Sequence, residues 1–457
     1  MKAMRAMMKA KQMRRHLLIA LLLSTLFALS LQPVARSQAP KLMAVRAGRM
    51  IDVRSGTVIN NAVIVIEGGR VKQAGANVAI PSGAEVIDLG GMTILPGLID
   101  SHTHLLQNYD GALGGDDPNM ILTVTQLGTV KRALLGVKMG QEDLEAGITT
   151  VRDLGNSGLN GDVALRDAIR SGWVVGPRIV ASTRALAAAG GQFGNVSAET
   201  QKIIEQEYAV ISNVEEARRA VRQAFYDGAD LIKVIVNTGP RVVSLDEMKA
   251  IVEEAHRVNR KVAAHAIGNL ATRIAAEAGV DSIEHAYTVP DDVLKMMAQK
   301  KIYLVPTDYP AEFYVSVFGR QSNVTPEELR QQEEGARAFA KSNNERLARA
   351  VKMGVPIAAG SDEYYNVPGK TRGQSSLLMF RAYSAAGMTP LQIIQAATVN
   401  AANLLAGERA LFGSLEPGKF ADIIAVEGDP LLDITVLERV RFVMKGGAVI
   451  KNEMGKR

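Results

Sequence analysis

The chain has 457 residues, 47% hydrophobic and 22% charged, with no cysteine and a formal net charge of +6. That length can bury more than one core, and the lack of cysteine excludes disulfides, thiolate metal ligands and a lipid-modified cysteine. The positive charge is local: Lys2, Arg5, Lys9, Lys11, Arg14, Arg15 and Arg36 precede residue 40 with no acid among them, so the nearly neutral body gives no case for nucleic-acid binding.

The basic segment runs into an apolar stretch over 17–31. It is too short for a comfortable transmembrane span and fits the core of a signal peptide. Ala35, Ser37 and Ala39 offer small residues for cleavage. Residues 1–38 are therefore expected to be a signal peptide, and the mature protein to be periplasmic or secreted without stable membrane insertion. The alternative is an uncleaved amino-terminal anchor.

Short strands are expected next, over 45–52, 62–67, 70–74 and 84–88. Gly56, Gly68-Gly69, Gly75 and Pro81-Ser82-Gly83 punctuate them. The run from Leu95 to His104 then reads as one buried strand ending in His-x-His. Residues two apart on a strand share a side, so His102 and His104 face one way. Two convergent imidazoles make half of a transition-metal site. The plainer reading is two polar residues opening a loop.

From Gly147 a pattern repeats: a helix ending in glycine, a short link, then an apolar strand ending in a polar group. The strands follow Gly147, Gly228, Gly279 and Gly354. Further strands fit over 178–182, 261–264 and 302–307, making eight with the first. Helices over 214–226 and 248–258 have helical apolar spacing, with capping boxes at Asn213-x-x-Glu216 and Ser244-x-x-Glu247. Eight such units predict an α/β chain with a (β/α)₈ TIM barrel. A doubly wound open sheet is the other possibility, but no glycine-rich phosphate loop follows a strand. Strands return over 421–426, 441–444 and 448–451. The flanking segments 41–92 and 408–457 are expected to join as a small composite β-sandwich domain, leaving 93–407 as the catalytic barrel.

Of six histidines, His16 lies in the leader and His256 on a charged helix. The other four, His102, His104, His265 and His285, fall at or near expected strand ends, the face of a barrel that carries active sites. Asp362 ends the last expected strand; a carboxylate there can ligate a metal and move a proton, or simply cap a helix. Lys233 sits inside the apolar run 231–236. A desolvated lysine has a lowered pKa and can take up carbon dioxide as a carbamate, a bridging ligand. Otherwise it pairs with Asp230 or Glu284.

Taken together, these residues resemble the amidohydrolase superfamily. The resemblance rests on Pro96-Gly97-Leu98-Ile99-Asp100 before His-x-His, on the order lysine, two single histidines, aspartate, and on the returning segment Gly413 to Asp422. Gly228 to Lys233, Ala263 to Ala266 and Val280 to Ala286 are similar to the Xaa-Pro dipeptidase-like and imidazolonepropionase-like branch. It implies two divalent metal ions, usually zinc, with His102, His104, carbamylated Lys233, His265, His285 and Asp362 as ligands. Two positions depart from the dipeptidase-like pattern: Ile267 where many relatives have histidine, and Gln192 after Gly190-Gly191.

The expected function is hydrolysis of an amide-like C–N bond, in a dipeptide, an N-acyl amino acid or a related small molecule, by a hydroxide held between two metals, with Asp362 moving the proton. Arg241 and Tyr287 are candidates for gripping a substrate carboxylate and Glu363 for a cationic end, each otherwise a surface or packing residue, and Gln192 is expected among the substrate contacts. Alternatives are a mononuclear deaminase or cyclic-amide hydrolase of imidazolonepropionase type, and a non-catalytic periplasmic binding protein. The reading leaves room for a homo-oligomer.

Overall fold

The computed structural model describes residues 1–29, 41–197, 199, 201–319 and 324–454. It separates into two units, Met1–Pro40 and Lys41–Arg457. The first contains a helix over Lys2–Leu29. Among the described residues no helix is long and apolar enough to cross a membrane. The expected cleavage positions Ala35, Ser37 and Ala39 lie outside the described residues.

The second unit opens with five strands: β1 (Leu42–Ile51), β2 (Val58–Glu67), β3 (Arg70–Ala76), β4 (Glu85–Asp88) and β5 (Thr93–Pro96). Parallel βα units follow. Their strands are β6 (Leu98–Thr103), β7 (Ile148–Asp153), β8 (Arg178–Ala181), β9 (Ala185–Ala187), β10 (Tyr208–Val210) and β11 (Ile232–Ile235), then, after a separate antiparallel pair β12 (Asn237–Thr238) and β13 (Arg241–Val242), β14 (Val262–Ala266), β15 (Ser282–His285) and β16 (Tyr303–Val305). The chain ends with β17 (Ile423–Val426), β18 (Phe442–Lys445) and β19 (Ala448–Asn452). The protein is thus α/β.

Strands from both flanks share one eight-stranded sheet, in the order β19-β18-β17-β5-β1-β2-β3 with β4 also on β1. It has its own apolar cluster, in which Val45, Ile64 and Ile94 meet Ile423 and Phe442. The returning segment is tied down by Phe420, whose ring lies 4.3 Å from the Arg70 guanidinium and 4.1 Å from that of Arg178. Arg178, on β8, also donates to Asp422 at 2.8 Å.

The single strand expected from Leu95 to His104 is two strands in two sheets. β5 pairs antiparallel with β17, and β6 pairs parallel with β7. The chain crosses at Gly97, whose N–H donates to Asp422 O at 2.9 Å. A Cβ at Gly97 would collide with the Thr149 side chain. Gly97→Ala should therefore destabilise the protein by about 1–3 kcal/mol, the cost of overpacking a filled site. A thermal melt that leaves the midpoint unchanged would contradict this.

The inner strands form two parallel sheets, β6-β7-β8 and β10-β9-β11-β14-β15-β16. The expected last strand, 356–362, is not a regular strand. It touches its neighbours through single parallel bridges, Leu304 with Ile357 and Thr103 with Glu363. Leu304 N–H donates to Pro356 O at 2.9 Å and Asp362 N–H to His102 O at 2.7 Å, so the segment still lies between β16 and β6.

The helix Val214–Tyr226 has the expected bounds, while the next runs over Leu245–His256. Ser244 and Glu247 complete a capping box. At Asn213 the side chain caps the Glu216 N–H, but the Glu216 carboxylate takes the N–H of Ser212 instead, so the box is incomplete. Gly279 closes its helix in the left-handed conformation, with φ of 82°.

Candidate metal centre

Neighbouring parallel strands bring the expected residues together. His102 lies on β6 and His104 just beyond it. Lys233 is on β11, His265 on β14 and His285 at the end of β15; Ile235 pairs with His265, and Ala266 with His285. With Asp362 all six line one cavity of about 390 Å³. His285 and Asp362 have φ of 68° and 54°, a region that costs most L residues of order 1–3 kcal/mol. The surroundings hold the first: Arg346 donates to the His285 carbonyl and is itself clamped by Asp308 at 2.5 Å.

The nitrogens are oriented for a cation. His102 Nδ1 lies 2.8 Å from Glu284 Oε2, and His104 Nδ1 lies 2.9 Å from Gly155 O. Each Nδ1 is a donor there, which leaves Nε2 as a free lone pair. Both Nε2 atoms point at Asp362 Oδ1, at 3.3 and 3.1 Å. Ligating atoms of His102, His285 and Asp362 lie within 4.8 Å of one another, the spacing of a group that can share one metal ion. The donor set of imidazole nitrogens and a carboxylate suits zinc and similar cations.

The electrostatics agree with that use. Burial drives His102 and His285 well below the ordinary histidine value, and His265 down to about 3. All three are neutral, as metal ligands must be. Burial acts to raise the Asp362 carboxyl, and the charge of His102 and the hydrogen bond from His104, when those rings carry a proton on Nε2, hold it below its ordinary value. Burial also pulls the Lys233 ammonium down to about 8.

Lys233 is 2% exposed, with Nζ 3.4 Å from His102 Nε2. Neither acid considered as its partner takes it. Asp230 pairs with Arg166 at 2.7 Å. Glu284 accepts from Arg152 at 2.8 Å and from Ser282 at 2.5 Å while holding His102. Glu284 thus orients His102, a role not evident from the sequence. Glu284→Gln keeps the shape but weakens that hold. It should lower metal affinity by about 10- to 100-fold, read by titrating a chelator against the loaded protein; unchanged affinity would remove Glu284 from this role.

The expected substrate contacts divide. Tyr287 and Gln192 line the cavity. Arg241 is not among its lining residues, because its guanidinium donates to the carbonyls of Ala189 at 2.9 Å and Phe193 at 2.7 Å. Glu363 is 1% exposed and also absent from the lining; it accepts from the Tyr365 N–H at 2.9 Å. Asn156, Asp116 and Tyr364 line the cavity but were not anticipated. Tyr364 was legible, since it stands two residues beyond Asp362 on an extended segment. Asp116 and Asn156 carried no such signal.

The family model described as the amidohydrolase family matches residues 93–450. An ochratoxinase of Aspergillus niger is 31% identical over 455 residues, covering 92% of this chain and 88% of the relative. An imidazolonepropionase of Geobacillus thermodenitrificans is 27% identical, covering 93% and 97%. A solved Xaa-Pro dipeptidase with bound methionine in its active site superposes with a TM-score of 0.75 and 31% identity, over 90% of this chain and 99% of that one.

Proposed function

Because the chain belongs to the amidohydrolase family and is accordingly a hydrolase of carbon–nitrogen bonds, we propose that it cleaves an amide-like bond of a small molecule at a binuclear metal centre. The observation that carries the reading is the convergence of four histidines, Lys233 and Asp362 on one cavity.

In this reading His102, His104, His265, His285, Asp362 and Lys233 as its carbamate would hold two divalent cations, with zinc the expected metal. Bound there, the cations supply a water activated at neutral pH and a polarised substrate carbonyl. Asp362 takes the proton from the attacking water and passes it to the leaving nitrogen. Its lowered pKa keeps it ionised and able to accept that proton at neutral pH. Tyr287 and Gln192 contact the substrate. A mononuclear deaminase or cyclic-amide hydrolase remains the second reading, favoured by the three-residue group His102, His285 and Asp362 and by the imidazolonepropionase relative.

The architecture proposed with it is a closed (β/α)₈ barrel, in which 356–362 joins β16 to β6, beside a composite β domain formed by the eight-stranded sheet. The test of the reaction is a panel of amides, esters and lactones with metal-loaded protein. Turnover of amides is expected; no turnover across the panel would overturn the reading.

Export belongs to the same proposal. The basic leader and short apolar run support a mature chain beginning near residue 38 in the periplasm or outside the cell. Mass spectrometry of protein from the native compartment should find that start; intact Met1 on cytoplasmic protein would contradict it.

A further inference from the structure

A second cavity, of about 410 Å³, adjoins the metal centre and shares Asp116, Tyr287, Asp362 and Tyr364 with it. Its chemistry differs. The first cavity is lined by four imidazoles with amides, carboxylates and three tyrosines, the second by a larger share of phenyl and phenol rings. Only 5% of the chain is aromatic, yet eight aromatic residues line this one space.

The rings form two arms that start at the metal centre. One runs from His285 to Tyr287 at 5.5 Å, to Phe339 at 5.0 Å and to Tyr314 at 5.3 Å. The other runs from His104 to Tyr364 at 5.6 Å, to Tyr365 at 5.1 Å and across to Phe318 at 5.1 Å. Most of these contacts are edge to face, which fixes the rings against one another. Phe339 keeps 37% of its surface exposed although it lines the cavity. Gln332 Oε1, on another lining residue, is buried with no hydrogen-bond partner among the described residues.

We propose that this second cavity holds an aromatic ring of the substrate, so that the enzyme's substrates are aryl-bearing amides whose scissile bond lies at Asp362. The inference rests on the reading of the first cavity as the hydrolytic centre. An apolar chain would gain only burial from these walls, whereas a flat ring also gains edge-to-face contacts with rings already held in place. The unpaired carboxamide oxygen of Gln332 suits a hydrogen-bond donor on the ring. Each cavity alone falls near the lower end of the ~300–1,000 Å³ range of small-molecule sites, and the pair together accommodates a two-part ligand.

The test compares a phenyl-bearing amide with its cyclohexyl analogue, which matches it in bulk but not in flatness. It also compares the two corresponding ketones, which replace the amide N–H by a methylene and cannot be hydrolysed. Calorimetric affinity for the ketones and kcat/KM for the amides are measured on the full protein. Wild type should prefer phenyl by about tenfold in both. Phe339→Leu, which keeps apolar bulk at a part-exposed position, should reduce that preference to about twofold, mainly through KM; Phe339→Ala should do the same. Equal binding of phenyl and cyclohexyl ketones by wild type, or an undiminished preference in Phe339→Leu, would overturn the proposal. Phe339-dependent binding of the phenyl ketone with no amide turned over would support the ring pocket while defeating the hydrolytic reading. Equal turnover of both amides would leave the hydrolytic reading standing and defeat the ring pocket.

Discussion

Replacing Asp362 by asparagine should lower kcat by about 10²- to 10⁴-fold, the usual contribution of a positioned acid–base group. The fold should survive. Asp362 has φ of 54°, and asparagine is among the few residues that enter this region readily. Its backbone N–H donates to His102 O whatever the side chain. The side-chain amide fills nearly the same space beside His102 and His104 but cannot accept the proton. The acid limb of the pH–kcat profile, which reports protonation of this carboxylate, should disappear with it. Metal content measured on the same sample separates loss of proton transfer from loss of a ligand. Near-parental kcat in a metal-loaded Asp362→Asn protein would remove Asp362 from the role.

Lys233→Ala should cost more, because it should lose both metal and turnover. Lys233 is buried, with no carboxylate in ion-pair contact among the described residues, and its Nζ faces an imidazole nitrogen. Keeping a full ammonium charge there costs several kcal/mol, and burial has already brought its pKa to about 8. Near that pH a large fraction of the amine is neutral, the form that reacts with carbon dioxide. A carbamate there would reverse the sign of the charge and make the side chain a ligand. Short carboxylic acids in bicarbonate-free buffer should partly restore metal and turnover to Lys233→Ala by occupying the vacated space. Lys233→Arg should not, since arginine stays cationic. A carbon-13 spectrum of the parent protein in labelled bicarbonate should show a carbamate signal that the variant lacks. Parental turnover by Lys233→Ala would hand the chemistry to the mononuclear reading.

Much of the site was readable because its residues are marked locally. The two-residue period of a strand put His102 and His104 on one side, the glycine-led repeats placed His285 and Asp362 at expected strand ends, and the separate strand expected over 261–264 placed His265. The break at Gly97 was hidden, because an apolar run has the same appearance whether it serves one sheet or two. The segment 356–362 was over-read for a similar reason: its apolar residues are buried, but it makes too few regular pairings to count as a strand. Arg241 could grip a substrate carboxylate or pack, and a sequence does not show that the carbonyls of Ala189 and Phe193 will claim it. The hold of Glu284 on His102 spans 182 residues, and the ring pocket gathers side chains from Tyr287 to Tyr365. Such long-range contacts leave no local period to detect.

In the proposed binuclear centre, cleavage of an amide-like bond depends on both metal ions. The most direct measurement is elemental analysis of protein whose amide turnover is recorded on the same sample, with turnover followed as metal is removed and returned. The expected result is two divalent metal ions per active chain and turnover that follows their occupancy. Full amide turnover with one metal per chain, or with none, would contradict it.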